Sequence, residues 1–389
     1  MSVPGKRVIV LGMMSKHPVA GVVWQTVHYM VGLERLGCEV YYVEAHALNP
    51  GWFMKTPEDD ASAAAAAFID AVMRRFGLGD RWAFHALHAD GHCYGLSEGR
   101  LKDLYRTADL IINLHGGTLP QPEHSATGRL VYLETDPVQV QVELAQKIPE
   151  TVAFLESHCA YFTFGENYGR PDCKLPVSPR FHFRPTRQPV VLDFWREAGA
   201  PGAALTTIGN WSQSGRELTF EGETYHWSKA REFLKFIDVP MRTDQPFELA
   251  LSRCGEANRL HLESRGWKVR DGLSLSRDPD QYRRYIFGSR GEFTVAKDQN
   301  IRLRSGWFSD RSATYLAAGR PVITQETGFS NIIPTGAGLF GFSTVEDVLA
   351  AVDAVNSDYD RHSRAAREIA REYFSHEIVL GRLLEEAGL

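Results

Sequence analysis

The sequence predicts an α/β protein built from two parallel-sheet domains. Three observations lead there. Short apolar runs alternate with helix-like stretches along most of the chain. Its 389 residues exceed what one hydrophobic core usually serves. A group of prolines, Pro171, Pro176, Pro179, Pro185 and Pro189, divides the alternation in two and reads as an interdomain connection.

The elements follow in order. Arg7–Leu11 is a continuous apolar run and predicts a buried first strand. A helical stretch from about Val22 to Leu36 stops at Gly37, and Glu39–Glu44 predicts the second strand. A strand, a helix and a strand in succession imply a parallel pair with a right-handed crossover. Glu58 to Phe76 is Ala-rich and helical, Leu101–Ala108 is a further helix, and Leu110–Leu114 and Arg129–Glu134 are strands. A helix follows from about Gln139, and Tyr161–Phe164 closes the first block. In the second block Ala204–Ile208 is a strand, and Glu221-Gly222 between Thr-, Phe- and Tyr-rich arms predicts a hairpin. Helices at Lys229–Ile237, Asn258–Arg265 and Pro279–Ile286 alternate with strands at Phe247–Ala250, Trp267–Val269 and Phe293–Val295, and a helical tail runs from Tyr359 to Leu389. Two such blocks place a ligand cleft between the carboxyl ends of both sheets.

Composition narrows the partners. With 43 basic and 48 acidic residues, a net charge of −5, the chain lacks the basic excess of a nucleic-acid binder. Its 43% hydrophobic and 23% charged residues are ordinary for a globular protein. The five scattered cysteines show no metal-ligand spacing and predict reduced thiols. The apolar run near the amino terminus is too short for a membrane span and lacks a cleavage site, so a cytoplasmic protein, monomeric or homodimeric, is expected.

The segment from Gly306 to Phe329, GWFSDRSATYLAAGRPVITQETGF, carries the chemistry. Its helix opens on Ser309, Asp310, Arg311 and Ser312, where backbone N–H groups are unpaired and the dipole is positive. Hydroxyl donors and an Arg clamp there suit a diphosphate, although Ser309 and Asp310 also suit simple capping. Gly319-Arg320-Pro321 ends the helix, and the next strand delivers Gln325 and Glu326 towards the cleft, where they can bond sugar hydroxyls.

These residues resemble a family. Leu316-Ala317-Ala318-Gly319-Arg320-Pro321-Val322-Ile323-Thr324 and the Gly loop after it are similar to the donor-binding segment of GT-B fold glycosyltransferases. Phe342-Ser343-Thr344-Val345-Glu346-Asp347, Ala365-Ala366-Arg367 and Tyr373-Phe374-Ser375 resemble the ending of these enzymes, whose last helix crosses back to the first domain. Gly21-Val22-Val23-Trp24-Gln25 through Leu36-Gly37-Cys38-Glu39-Val40 resembles their first loop and helix. The resemblance implies two Rossmann-like α/β/α domains facing across a cleft. Residues 1–195, with a last helix at about 372–389, would bind the acceptor, and 196–371 the nucleotide-sugar donor.

It also implies roles. Lys229 stands where such enzymes place a phosphate-binding lysine, and Lys297 is a second basic candidate. His115, before Gly116-Gly117, resembles the family's histidine at the donor sugar. Gly21, Asn210, Thr327 and Gly328 complete the donor set with Ser309 to Ser312, Gln325 and Glu326. His17 is the candidate general base towards an acceptor hydroxyl, with Asp136 as its orienting acid or an alternative base. The pair of glutamates that many retaining members carry is missing, since Gly306 and Thr314 stand at those positions. Asp278-Pro279-Asp280 and Asp358-Tyr359-Asp360 read as helix caps rather than metal ligands, which implies no metal and no cofactor beyond the donor.

The expected activity is transfer of a sugar from a nucleoside diphosphate sugar to a hydroxyl-bearing small molecule or glycan. Alternatives on the same fold are a nucleotide-sugar epimerase or hydrolase and a non-catalytic sugar-nucleotide-binding protein. A nicotinamide oxidoreductase is disfavoured, because Gly12-Met13-Met14-Ser15-Lys16-His17 lacks the glycine fingerprint.

Overall fold

Arg7–Leu11 (β1) is buried from Val8 onward, which requires helices on both faces of its sheet. The computed structural model, describing residues 4–196, 199–213 and 215–389, shows that arrangement. β1 is followed by Glu39–Glu44 (β2), Trp82–His85 (β3), Cys93–Gly95 (β4), Leu110–Leu114 (β5), Leu130–Glu134 (β6), Ala160–Thr163 (β7) and Phe183–Pro185 (β8). They form an eight-stranded sheet ordered β4-β3-β2-β1-β5-β6-β7-β8. All pairs are parallel except β3 with β4.

Leu205–Asn210 (β9) opens the second half, and Leu218–Phe220 (β10) and Glu223–Tyr225 (β11) form a separate hairpin. Glu221 and Gly222, at φ 51° and 80°, take the two left-handed positions that a two-residue hairpin turn demands. Phe247–Ser252 (β12), Lys268–Asp271 (β13), Gly291–Thr294 (β14), Val322–Gln325 (β15) and Leu339–Phe342 (β16) join β9 in a six-stranded parallel sheet ordered β13-β12-β9-β14-β15-β16. One face of this sheet is an aromatic cluster in which Phe293 stacks on Phe342 and meets Phe247 and Trp267.

Both sheets reverse direction at one point. In the first, the chain runs outward from β1 through β2 and then resumes on the other side at β5. In the second, β12 and β14 flank β9 in the same way. Loops leaving the carboxyl ends of such neighbouring strands diverge and open a crevice.

The proline-rich stretch is not the connection itself. Phe183 pairs with Tyr161, so the first sheet gains one more strand before the chain leaves it. The Val190 N–H donates to Phe374 O at 2.6 Å, and the His376 N–H donates back to Val190 O at 3.0 Å. The outgoing and returning segments are thus stitched side by side. The last helix, His376–Glu386, then packs on the first, Ala20–Arg35, so closely that a Cβ at Gly32 would stand 2.6 Å from Leu380 Cδ1. No helix among the described residues is long and apolar enough to cross a membrane.

Candidate functional site

The helix Asp310–Ala317 begins beside the reversal point of the second sheet. Ser309 is its N-cap but makes no side-chain cap bond, and the Ser312 hydroxyl is buried without a hydrogen-bond partner among the described residues. Arg311 differs from the open clamp its sequence suggests. Nε donates to Glu292 Oε1 at 2.5 Å, Nη1 to Ile208 O at 2.7 Å and Nη2 to Thr294 Oγ1 at 2.9 Å. The wholly buried Glu292 pins the guanidinium to β14, leaving it two of its five donors. Asp310 also departs from a ligand role. Burial pushes its carboxyl above the usual carboxylate range, and a carboxylate there would repel a phosphate.

A cavity of about 220 Å³ opens at this helix, bounded by Gly209, Asn210, Trp211, Trp227, Lys229, Lys297 and Arg311. Asn210 is exposed at the end of β9, as a side chain facing the crevice must be. Lys229 stands at the N-cap of the helix Ala230–Lys235; its ammonium lies 5.7 Å from the Trp307 ring centroid and forms no ion pair or hydrogen bond with the described residues. Burial, then Arg311 and Lys297, bring its ammonium down to about 7. Lys297 rests on Trp227, its Nζ 3.3 Å from the ring centroid, and reaches across the cleft to an ion pair with Asp136. Its pKa is also lowered, by burial against the pull of Asp136. Glu292 and Asp136 offset two of these three cations, and the Lys229 ammonium, held largely away from water, is costly until a further anion joins it.

The first domain supplies the facing wall. His17 lies exposed in the loop after β1. Partial desolvation, Lys16, Arg216, Arg253 and His46 lower its pKa and favour the neutral imidazole. Asp136 does not orient it; that carboxylate is taken by Lys297. His115 ends β5 at φ 66°, and its Nδ1 lies 3.0 Å from Thr135 Oγ1. Its Nε2 is buried without a hydrogen-bond partner among the described residues, and burial brings the ring down to about 4, which favours the neutral form. Gly21 lies in the first turn of a helix with no side-chain cap, and a Cβ there would meet nothing.

The loop after β15 is a correction. The Gln325 amide accepts from Ala296 N–H at 3.2 Å and donates to Glu232 Oε2 at 2.8 Å. Glu326 accepts from Gly328 N–H at 2.5 Å, and Thr327 donates to Trp307 O at 2.7 Å. Gly328, at φ 96°, packs on the Asn167 amide, 2.7 Å from where its Cβ would be. These four residues knit the loop together rather than facing the cavity. β15 is buried on both faces, so its last side chains are consumed by neighbouring elements.

Several further residues shape the site. The Trp227 indole donates to Gln213 Oε1 at 2.6 Å, and the Trp307 indole donates to Thr135 O at 3.1 Å across the cleft. Glu44 anchors the His17 loop by accepting from Ser15 N–H at 2.9 Å, Tyr42 OH at 2.6 Å and His46 Nε2 at 2.9 Å. Asn167 bonds to Arg304 O and Asn331 in the second half. It also closes the position where a glutamate was expected. Gly306 stands at φ 80°, and a Cβ there would collide with the Asn167 backbone nitrogen. Thr314, at the other position, is buried and donates to Arg311 O at 2.6 Å. Gly306→Ala is therefore expected to cost about 1–3 kcal/mol in backbone strain alone, measured by urea denaturation. An unchanged midpoint would show that the two segments separate easily.

No family model matches the sequence, and no curated protein matches it. Solved structures do. An alpha-glucosyltransferase in complex with UDP-glucose and DNA containing an abasic site is 10% identical, covers 100% of both chains and superposes with a TM-score of 0.57. HepE of Anabaena, in complex with UDP and glucose, is 11% identical over 99% of this chain and 100% of its own, at 0.54. Sucrose-phosphate synthase of Thermosynechococcus elongatus is 12% identical over 98% of both, at 0.54. The chain has the GT-B fold. In GT-B terms the two reversal points, β1/β5 and β9/β14, face one another, with His17 and His115 on one side and the three cations on the other. The returning helix His376–Glu386 is the GT-B crossover.

Proposed function

We propose that this protein transfers a sugar from a nucleoside diphosphate sugar to a hydroxyl-bearing acceptor. The observation that carries the reading is Lys229, a largely desolvated cation with no ion-pair partner among the described residues, in a cavity shared with Lys297 and Arg311. A diphosphate is the anion that matches such a set, and the helix Asp310–Ala317 presents its amino-terminal N–H groups beside it. UDP is the first nucleotide to test, because alpha-glucosyltransferase and HepE are described with it.

The chemistry follows from placement. An acceptor hydroxyl attacks the anomeric carbon, the bond from that carbon to the diphosphate oxygen breaks, and the electron pair leaves with the diphosphate. Lys229, Lys297 and Arg311 neutralise the charge that gathers there, without a metal ion. His17, neutral and open to the cleft, takes the hydroxyl proton. His115 Nε2 is free to bond a sugar hydroxyl. The nucleotide half binds to the second domain and the acceptor half to the first.

A thermal-shift series with UDP, GDP and TDP tests this. A ligand at a hundred times its Kd is expected to add about 2.7 kcal/mol of stability. The pH dependence has a defined sign. In the free protein Lys229 titrates at about 7, and binding of a diphosphate favours the ammonium. Affinity is therefore expected to fall above pH 7, by up to about tenfold per pH unit. Lys229→Arg, charged at every accessible pH, should flatten that profile. No shift with any of the three nucleotides would refute the diphosphate seat.

A further inference from the structure

We propose that Lys297 is exchanged between two anions, the Asp136 carboxylate in the empty cleft and the donor diphosphate once it binds. Trp227 is the positioning residue on whose face the ammonium turns. This rests on the diphosphate reading above.

The geometry supplies each part. Lys297 ion-pairs with a carboxylate of the opposite domain while its Nζ lies over Trp227, 3.3 Å from the ring centroid. The same side chain borders the cavity that holds Lys229 and Arg311. A lysine changes partner by rotating its last bonds, and an aromatic face attracts the ammonium throughout that path. The platform is itself held in place, because the Trp227 indole donates to Gln213 and Arg216 lies 4.8 Å from the ring centroid. Lys297 is well buried, at 12% side-chain exposure, and needs an anion in either state. Among the charges that bear on it, Asp136 and Asp310 favour the ammonium, and Arg216 and the neighbouring Lys229 oppose it.

The exchange couples donor binding to acceptor binding. Asp136 keeps 40% of its side-chain surface exposed at the carboxyl end of β6, yet its charge is masked while Lys297 remains there. When a diphosphate draws Lys297 away, Asp136 becomes a free carboxylate in the cleft, able to accept a hydrogen bond from the acceptor hydroxyl. Acceptor affinity therefore rises with donor occupancy, and donor affinity with acceptor occupancy by the same factor.

UDP affinity, measured by calorimetry in a double-mutant cycle, tests the proposal. Asp136→Asn is expected to tighten UDP binding about tenfold, since the competing anion is gone. In a Lys297→Met background the same change is expected to matter less than about twofold. Trp227→Phe should keep UDP affinity within about threefold of wild type, and Trp227→Leu, similar in bulk but without a π face, should lose about tenfold. Equal tightening by Asp136→Asn in both backgrounds would overturn the exchange, as would no tightening in either. Equal affinities for the Phe and Leu variants would overturn the role of Trp227. A wild-type protein that binds none of UDP, GDP and TDP would overturn the diphosphate reading and the exchange with it; binding in wild type with a silent Asp136→Asn overturns the exchange alone.

Discussion

Arg311→Ala is expected to destabilise the folded protein by about 3–5 kcal/mol, the loss seen when one partner of a buried ion pair is removed. The reason is Glu292. Its side chain is wholly buried on β14, one oxygen accepts from Arg311 Nε at 2.5 Å, and the other has no partner. Without the guanidinium that carboxylate has no compensating charge, and Ile208 O and Thr294 Oγ1 also lose their donors. Urea unfolding should show a lower midpoint at an unchanged slope. Replacing the pair together, Arg311→Met with Glu292→Leu, should recover most of the loss, because an apolar pair of similar volume carries no desolvation cost. A loss under about 1 kcal/mol for Arg311→Ala would show that Glu292 does not depend on this partner. Arg311 thus joins two functions. It builds the floor of the cavity and contributes its field to whatever binds there, so reduced UDP binding in this variant must be read beside its stability.

Lys229→Met is expected to behave in the opposite way. UDP affinity should fall by about 1.5–3 kcal/mol, roughly tenfold to a hundredfold, for the loss of a charge-assisted contact. The free protein, however, should become more stable. Lys229 titrates at about 7 in the fold, below the ~10.4 of an unfolded lysine. As pH falls from about 10.4 to 7 the unfolded chain takes up a proton that the folded chain refuses, so the lysine costs folding progressively more; below 7 the cost is constant. The gain from Lys229→Met should therefore be greatest at pH 7 and below and vanish above about pH 10.4. Thermal melts across that range, with and without UDP, separate the two effects. A variant that is less stable at pH 7 would mean that Lys229 is held by an internal partner and is no vacant ligand site.

The contrast between these neighbours explains what could be read in advance. Arg311 and Lys229 look alike as sequence signals, each a cation at a helix start after a strand. The sequence has no means of showing that one has a buried glutamate beneath it and the other no ion-pair partner among the described residues. Glu292 lies in the short strand Gly291–Thr294 and pairs with Arg311 only because the helix Asp310–Ala317 packs against β14. The same limit applies to Gln325 and Thr327. Their positions at a strand end are legible, but their direction depends on Ala296, Glu232 and Trp307, which are remote in sequence. Asp136 and Lys297 were each visible as candidates, while the ion pair between them exists only across the cleft.

The sequence by itself determined the alternation of buried strands with helices, the hairpin turn at Glu221-Gly222 and the helix start at Ser309 to Ser312. These depend on local periodicity, on backbone conformations that particular residues permit and on unpaired backbone groups, all properties of neighbours in the chain. Only the tertiary structure decided which cations are free, which carboxylates are spent, and that Gly306 must stay a glycine against Asn167. Those outcomes depend on charges and atoms brought together from segments more than a hundred residues apart, such as Asp136 with Lys297 and Asn167 with Gly306, where burial removes the water that would otherwise make each partner dispensable.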